Sequence, residues 1–240
     1  MGGGGGASSA DRGDLWYFAY GSNMHPEKRA RRAQLRDLEV VGATLSGWRL
    51  AFDMPGVPPV EPSMANLRAE AVATVHGVLI RISRADFAEL VASEGGDRFY
   101  AVVEVIATRY DDGAAVLAHA FVAQPSRRRC RERPPSRRYM DLLRDGARAA
   151  GLAPSYCAYL DALPASEARA LGRLCSNLVL ELFTAASRSP LRALMNDYLV
   201  LLQATEELAP APRAAAQCVV LAPALVAGLA LRAARALRSA

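Results

Sequence analysis

The chain has few of the residues that build metal centres and disulfide frameworks. It contains 4 cysteines and 3 histidines in 240 residues. The cysteines are far apart and form no Cys-x-x-Cys pair; they are Cys130, Cys157, Cys175 and Cys218. This pattern argues against a zinc site or a disulfide framework, and it predicts a reducing, cytoplasmic compartment.

The N-terminal segment lacks the apolar core of a signal peptide. Residues 1–14 are rich in glycine and polar side chains, which predicts a disordered lead-in. Gly2 is compatible with myristoylation, but position six is glycine rather than the serine or threonine of that motif. We therefore expect no lipid anchor at this end.

The net charge of +5 comes almost wholly from arginine. Arginine and alanine are both abundant, as in proteins of GC-rich genomes, so the charge alone is weak evidence for a nucleic-acid partner. The segment from Arg127 to Arg138 holds seven arginines in twelve residues. Few aromatic residues are interleaved there, whereas single-strand binders stack bases on aromatics. We expect no nucleic-acid partner and interpret the segment as a solvated loop; a positive rim that attracts dicarboxylate substrates is the alternative.

Short apolar runs separated by turn residues fill the first half of the chain and predict strands. The runs are Leu15 to Tyr20, Ala43 to Phe52, Ala71 to Ile82, Tyr100 to Tyr110 and Ala114 to Ala123. Between the second and third, Met54 to Ser63 carries four prolines and predicts a loop.

Helix signals lie between and after these strands. Ser83 followed by Asp86 resembles a capping pattern and predicts a helix to about Ala92. Ser136 to Ala150 and Pro154 to Ala162 predict two more helices, the first ended by Gly151. Residues 15–164 are therefore expected to form an α+β domain with peripheral helices.

The composition changes after Pro164, and we assign residues 165–240 to a helical C-terminal extension. Helical patterns rich in Ala, Leu and Arg run over Ala165 to Asn177, Ser189 to Thr205 and Pro212 to Arg238. Residues 214–231 contain Gln217 as the single strongly polar side chain, and a membrane span needs about 20 apolar residues. Pro223 and Gly228 interrupt the run. Two interpretations stay open: packing on the rest of the extension, or membrane association.

The most informative segment is Tyr17 to Met24, which reads Tyr-Phe-Ala-Tyr-Gly-Ser-Asn-Met. An apolar strand runs directly into a tight turn. Glycine tolerates positive φ, and serine and asparagine bond to nearby backbone. A turn of this kind exposes consecutive N–H groups that can hold an anion or an oxyanion.

This octet resembles the signature of the γ-glutamylcyclotransferase family. Further segments resemble the family and follow in its order, so that the resemblance extends over residues 14 to 164. They are Met64 to Asn66, Val75 to Leu79, Ser93 to Gly96 with Tyr100, Arg133 to Tyr139, and Gly151 to Tyr156. The resemblance implies a mixed sheet, partly barrel-like, with a cavity at one end.

The resemblance also implies an activity. A γ-glutamyl amino acid, or glutathione, would be cyclised to 5-oxoproline with release of the amine, without metal or cofactor. The nucleophile is the substrate's own α-amine, so no Ser-His or Cys-His pair is needed. Glu94 would be the general acid and base, with a pKa raised by apolar neighbours. The implied substrate-binding residues are Tyr20, Gly21, Ser22, Asn23, Tyr100 and Tyr139.

Two positions bear on substrate choice. Asn23 favours γ-glutamyl dipeptides over glutathione within the resemblance, although a γ-glutamyl-amine is also compatible with it. Phe121 stands where relatives carry tyrosine, which removes a hydroxyl donor. Asp53 at a strand end and His76 inside an apolar strand are interpreted as structural.

The alternative function is a binding module of the same fold without turnover, tethered to a membrane by its C-terminal helices. Such a module would have no need of the base Glu94, which disfavours it. The extension offers two further roles, as a lid on the pocket or as the surface of a homodimer.

Overall fold

A computed structural model describes residues 13–31, 36–58, 61–167, 178–182, 185 and 190–239. Within them the strands are β1 (Asp14–Ala19), β2 (Glu39–Pro55), β3 (Ser63–Ser83), β4 (Tyr100–Arg109) and β5 (Ala115–Ala123). The helices are α1 (Pro26–Ala30), α2 (Arg84–Ser93), α3 (Arg137–Ala149), α4 (Pro154–Ala162), α5 (Arg192–Ala204) and α6 (Pro210–Ser239). Positions 1–12 of the expected lead-in, most of the predicted helix from Ala165 to Asn177, and Cys175 lie outside the described residues.

The strands close into a barrel in the order β1-β3-β2-β4-β5. Neighbours along this order run antiparallel, and β1 closes the barrel against β5 through a parallel pairing of Tyr17 with His119. Fully buried apolar side chains such as Phe18, Leu79 and Ile80 form the core; because Leu79 and Ile80 are consecutive in β3, both faces of this strand are covered. The predicted α+β class and the barrel-like mixed sheet are confirmed.

The predicted loop from Met54 to Ser63 is wrong at both ends. Met54 pairs with Met64, and Pro55 pairs with Ser63, so β2 and β3 reach further than their apolar runs. Proline is tolerated there because a strand end needs no ladder N–H. The apolar pattern stops at Asp53, but that carboxylate stays in the strand, buried and bonded to the Asn66 amide at 2.8 Å.

The predicted helix starts are confirmed by their caps. The Ser83 hydroxyl accepts from the Asp86 N–H at 3.0 Å, and the Ser136 hydroxyl accepts from the Tyr139 N–H at 3.1 Å. Each capped helix satisfies one of its unpaired N-terminal donors in this way. The two helices place the end of α2 and the first turn of α3 at the same mouth of the barrel.

The described part of the extension packs on the loop after β2. Its small core consists of Val57, Val179, Leu202, Leu221 and Ala224. The predicted helices Ser189 to Thr205 and Pro212 to Arg238 correspond to α5 and α6. Within α6, Ala211–Leu237 is long and apolar enough to cross a membrane, with a mean hydropathy of 2.1 and 22% of its most apolar window buried.

Candidate active site

The turn after β1 is one 3₁₀ turn, Ser22–Met24, in which the Met24 N–H donates to the Gly21 carbonyl at 2.9 Å. Gly21 has φ of −111°, so the turn makes no use of glycine's tolerance of positive φ. Its small size matters instead, because a Cβ there would lie 3.2 Å from the Tyr139 hydroxyl oxygen and 3.4 Å from the Ala65 Cβ. Glycine lets the tyrosine lie directly against the turn.

A buried arginine holds the other side of this turn. The Arg29 guanidinium donates to the carbonyls of Asn23, at 3.1 Å, and Met24, at 2.5 Å. Its Nε pairs with Asp37 at 2.8 Å. Because the carbonyls are fixed by a charged donor, the peptide planes of the turn are fixed as well. Arg29 and Asp37 were not predicted, since neither belongs to a motif.

Glu94 lies where α2 ends, and Gly95 follows in the left-handed region with φ of +92°. A Cβ on Gly95 would be 2.3 Å from the Phe99 ring, so this position needs glycine for both reasons. The Asn23 amide nitrogen donates to the Glu94 carboxylate at 3.4 Å and to the Tyr17 hydroxyl at 3.1 Å. The turn and the carboxylate are thereby connected across 71 residues of chain.

Asn23 also presents an acceptor. The residue is 7% exposed, and the oxygen of its side-chain amide accepts no hydrogen bond from the described residues. A buried acceptor without a partner is costly, so this oxygen is a candidate acceptor for a donor group of a ligand.

Two buried tyrosines approach the turn from opposite walls. The Tyr20 hydroxyl donates to the Phe121 carbonyl at 2.5 Å, and the Tyr139 hydroxyl accepts from the Ala65 N–H at 3.1 Å. Burial raises the pKa of Tyr139 to about 12 and raises that of Tyr20 well above its ordinary value. Both hydroxyls therefore stay protonated at neutral pH.

One cavity of about 540 Å³ brings the predicted residues together. Its lining includes Tyr20, Gly21, Ser22, Asn23, Glu94, Tyr100 and Tyr139. The ring of Tyr100 packs edge-on against that of Phe121, with centroids 5.9 Å apart. Phe121 is itself part of the wall, at the position where the resemblance led us to expect a hydroxyl.

The same cavity has a basic wall and an apolar rim; a positive rim was the alternative interpretation of residues 127–138, but of that segment the lining includes Arg138 alone. The basic side chains are Lys28, Arg31 and Arg138, and the apolar ones are Leu142 and Leu180. Lys28 donates to the Ser22 hydroxyl. Leu180 comes from the C-terminal extension, so the extension contributes to the wall.

The interpretation of residues 127–138 as a solvated loop is wrong for much of the segment. Arg127 donates to Gln203, and Arg129 and Arg133 pair with Glu206. The partners lie in and just after α5. The arginines therefore dock the extension onto the domain.

The structural interpretation of Asp53 and His76 is supported, since neither lines the cavity. Asp53 is 2% exposed and bonded to Asn66. His76 contacts the Tyr110 hydroxyl and stacks on Tyr156 with ring centroids 4.5 Å apart. Burial lowers its pKa.

Solved structures share this fold. An uncharacterized human protein matches with a TM-score of 0.56 and 22% identity, over 65% of this chain and 91% of its own. A structure described as a gamma-glutamyl cyclotransferase matches with the same TM-score and 20% identity, over 69% of this chain and 99% of its own.

Curated relatives are found among fungi. The gamma-glutamyl cyclotransferase gliK of Aspergillus fumigatus is 31% identical in an alignment that covers 65% of this chain and 64% of the relative. The gamma-glutamyl cyclotransferase aclK of Aspergillus oryzae is 32% identical in an alignment that covers 61% of this chain and 60% of the relative. The match thus spans somewhat less than two thirds of either relative's length.

The family model for gamma-glutamyl cyclotransferase, AIG2-like proteins matches residues 17–141, just over half of the chain. The match begins in the strand before the turn and ends in α3. It includes Glu94, Tyr100 and Tyr139, the residues that meet around the cavity. The chain therefore belongs to the gamma-glutamyl cyclotransferase family of AIG2-like proteins.

Proposed function

We propose that the chain is a γ-glutamylcyclotransferase, which cyclises the γ-glutamyl group of its substrate to 5-oxoproline and releases the attached amine. The observation that carries this proposal is the contact between Asn23 and Glu94, which fixes a carboxylate at the edge of a backbone turn inside a cavity. Base, oxyanion donors and space for a small substrate are then within one site.

The polar groups define how a γ-glutamyl group would bind. Its α-ammonium can donate to two acceptors, the Glu94 carboxylate and the buried side-chain amide oxygen of Asn23. Its γ-carbonyl oxygen suits the backbone of the turn, because the first N–H groups of a helical turn have no acceptor within the turn. We assign the N–H groups of Ser22 and Asn23 to this oxygen.

The proton transfers balance with one carboxylate. Glu94 takes a proton from the α-ammonium, and the freed amine attacks the γ-carbon to give a tetrahedral oxyanion. Glu94 returns that proton to the leaving nitrogen, the C–N bond breaks, and the carboxylate takes the second proton from the ring nitrogen. That proton passes to the released amine, which leaves as an ammonium. Binding the substrate folded on itself lowers the activation free energy of the attack by up to about 7–11 kcal/mol.

The tyrosines enclose one side of the cavity and hold the turn in place. Tyr139 lies against Gly21 and accepts from Ala65, so its hydroxyl fixes the distance between the turn and β3. Tyr20 and Tyr100 enclose the side of the cavity around Phe121. In an enclosed site, hydrogen bonds to the oxyanion are stronger than in water.

We further propose γ-glutamyl dipeptides as substrates and glutathione as the second choice, from the identity of Asn23. The cavity of about 540 Å³ falls in the range of small-molecule sites. We place the reaction in the cytoplasm, in keeping with the widely spaced cysteines.

The test is 5-oxoproline release from a panel of γ-glutamyl dipeptides and glutathione, for the wild type and for Glu94→Gln. The variant keeps the size of the side chain and removes the base, so kcat should fall by about 10²- to 10⁴-fold. Glu89→Gln, the same substitution at an exposed position of α2, should keep wild-type activity.

Two results would contradict the proposal. Full activity in Glu94→Gln would show that Glu94 is not the general acid and base. A folded wild type that binds dipeptides without releasing 5-oxoproline would favour the binding module instead.

A further inference from the structure

The chain has 29 lysine and arginine residues, and Lys28 is the single lysine among them. It lies in α1, immediately after the turn, and lines the cavity. Its ammonium donates to the Ser22 hydroxyl. The one compact cation of the sequence is therefore placed at the turn that we assign to the γ-carbonyl.

Consecutive residues of the turn contact groups of opposite charge. Ser22 contacts the Lys28 ammonium, and Asn23 contacts the Glu94 carboxylate. With the α-ammonium at the Glu94 end, the positive charge at the Lys28 end attracts an anionic part of the substrate. Opposite charge in a partly enclosed site favours such an arrangement.

The position of Lys28 relative to solvent indicates which part this is. The Glu94 end is bounded by the buried rings of Tyr17, Tyr20 and Phe121. The α1 end opens to water, since the side chains of Glu27 on that helix and of Arg31 directly after it are 73% and 78% exposed. The constant glutamyl group fits the closed end, and the departing amine, which must leave the cavity, fits the open one.

The chemistry of an ammonium suits this position. It has three donors in a compact head, so it can keep its contact with Ser22 while donating to a carboxylate. Arg138, which also lines the cavity, pairs at 2.5 Å with Glu61, which is 1% exposed. Arg31 pairs with Glu27 at the surface.

We propose that Lys28 binds the carboxylate of the departing amine and so sets the substrate class. The favoured substrates are γ-glutamyl amino acids and peptides with a free carboxylate near the scissile bond, rather than γ-glutamyl alkylamines or amides. This inference rests on the proposed function, since it assigns a subsite of the same cavity.

The turnover test compares γ-glutamyl-alanine with γ-glutamyl-alaninamide, which differ in that carboxylate alone. The wild type should prefer the acid. Lys28→Met should lower kcat/KM for the acid by about 10- to 100-fold, the range for a hydrogen bond to a charged group, and leave the value for the amide within about threefold. Arg84→Met, which also removes one positive charge but at an exposed position of α2 outside the cavity lining, should leave the ratio of the two substrates unchanged.

Equal losses of kcat/KM for both substrates would overturn the proposal. They would indicate that Lys28 contacts the glutamyl group or has a structural role. Unchanged turnover of both would overturn it as well. Lys28→Arg, which keeps the charge, should retain more of the preference than Lys28→Met does; equal preferences in the two variants would count against a charge interaction.

A binding readout separates this proposal from the proposed function. In Glu94→Gln, which should bind without turnover, acylation of the single lysine by an amine-selective reagent can be followed by peptide mass spectrometry. At matched occupancy, γ-glutamyl-alanine should slow Lys28 acylation more than the amide does. Equal protection would overturn the carboxylate subsite, whether or not the wild type releases 5-oxoproline.

Discussion

At the scale of single residues, the site depends on hydroxyl groups that burial keeps neutral. Tyr139 is 6% exposed, and its pKa is raised first by loss of solvent and to a smaller extent by the negative charges of Glu61 and Glu94. A tyrosinate here would repel the Glu94 carboxylate, the proposed base. Burial thus keeps a neutral hydroxyl close to this carboxylate.

Tyr139→Phe should change how stability depends on alkaline pH. Unfolded tyrosine loses its proton near pH 10, whereas folded Tyr139 loses it at about 12. Below pH 10 both states are protonated, and the contribution is constant. Between pH 10 and 12 the unfolded state binds fewer protons, so the wild type should lose about 2–3 kcal/mol relative to the variant as pH rises.

Urea unfolding of the two proteins at pH 8, 10 and 12 measures this difference. Tyr159→Phe is the control, because that side chain is 43% exposed and should give a smaller change. A wild-type-minus-Tyr139→Phe difference that stays flat up to pH 12 would contradict the assigned pKa.

The residues that sequence reasoning found and those it missed differ in a physical way. Gly21, Asn23 and Glu94 stand in motifs whose meaning is local, so their presence in one cavity could be predicted. The reason for Gly21 could not be, because it depends on Tyr139, far away in the chain. Arg29 and Lys28 carry no motif, and their roles follow from which carbonyl or hydroxyl the folded turn brings to them.

At the scale of elements, Glu206 connects the extension to the domain. Its side chain is 9% exposed and accepts from Arg133, from Arg129 at 3.5 Å and from Gln217 of α6 at 2.7 Å. Arg129 and Arg133 belong to the loop after β5, and Gln217 to the last helix. One carboxylate therefore holds three parts of the chain together, and removing it would leave two cations and an amide without their acceptor.

Glu206→Ala should loosen α5 and α6 without unfolding the barrel. Breaking a buried ion pair costs about 3–5 kcal/mol because the remaining charges lose their partner. Hydrogen exchange should accelerate in α5 and α6 and stay unchanged in β1 and β3. Glu207→Ala, at the exposed neighbouring position, is the matched control. Uniform acceleration over the whole chain, or none at all, would contradict a local docking role.

Element boundaries were predicted well where local chemistry sets them and poorly where distant partners do. The capped start of α2 depends on Ser83 and Asp86, three residues apart, and was correct. The arginine-rich segment resembled a solvated loop because its acceptors lie 73 to 77 residues away. Met54 and Pro55 were assigned to a loop because the pairing strand across from them cannot be seen in a proline-rich sequence.

At the scale of the whole molecule, the family match and the cavity do not have the same extent. The match ends at residue 141, whereas the cavity also uses Leu142 and Leu180. Leu180 is followed by Glu181, which binds Arg232 of α6 at 2.6 Å. The extension therefore belongs to the pocket structurally, and its last helix is linked to the segment that forms the rim.

The two interpretations of α6 make opposite demands on its contacts. Packing keeps Gln217 on Glu206 and Arg232 on Glu181, with Leu221 and Ala224 buried. Insertion of the helix into a bilayer would break these pairs and place the polar partners in hydrocarbon, where charges cost several kcal/mol each. The outer face of α6 favours membrane association instead, because it is apolar and its Val219 and Val226 are 73% and 68% exposed.

We expect α6 to stay packed on the protein through these contacts. The 240-residue chain should therefore remain unbound in a flotation assay with neutral phosphatidylcholine vesicles. The Val219→Ser/Val226→Ser double variant, which makes the outer face polar and leaves the packed face alone, should behave identically. Flotation of the wild type that the double variant abolishes would show that this face inserts into lipid, and α6 would then be a membrane anchor. Since the pairs with Glu206 and Glu181 hold the helix whether or not lipid is present, hydrogen exchange in α6 should also be the same with and without vesicles.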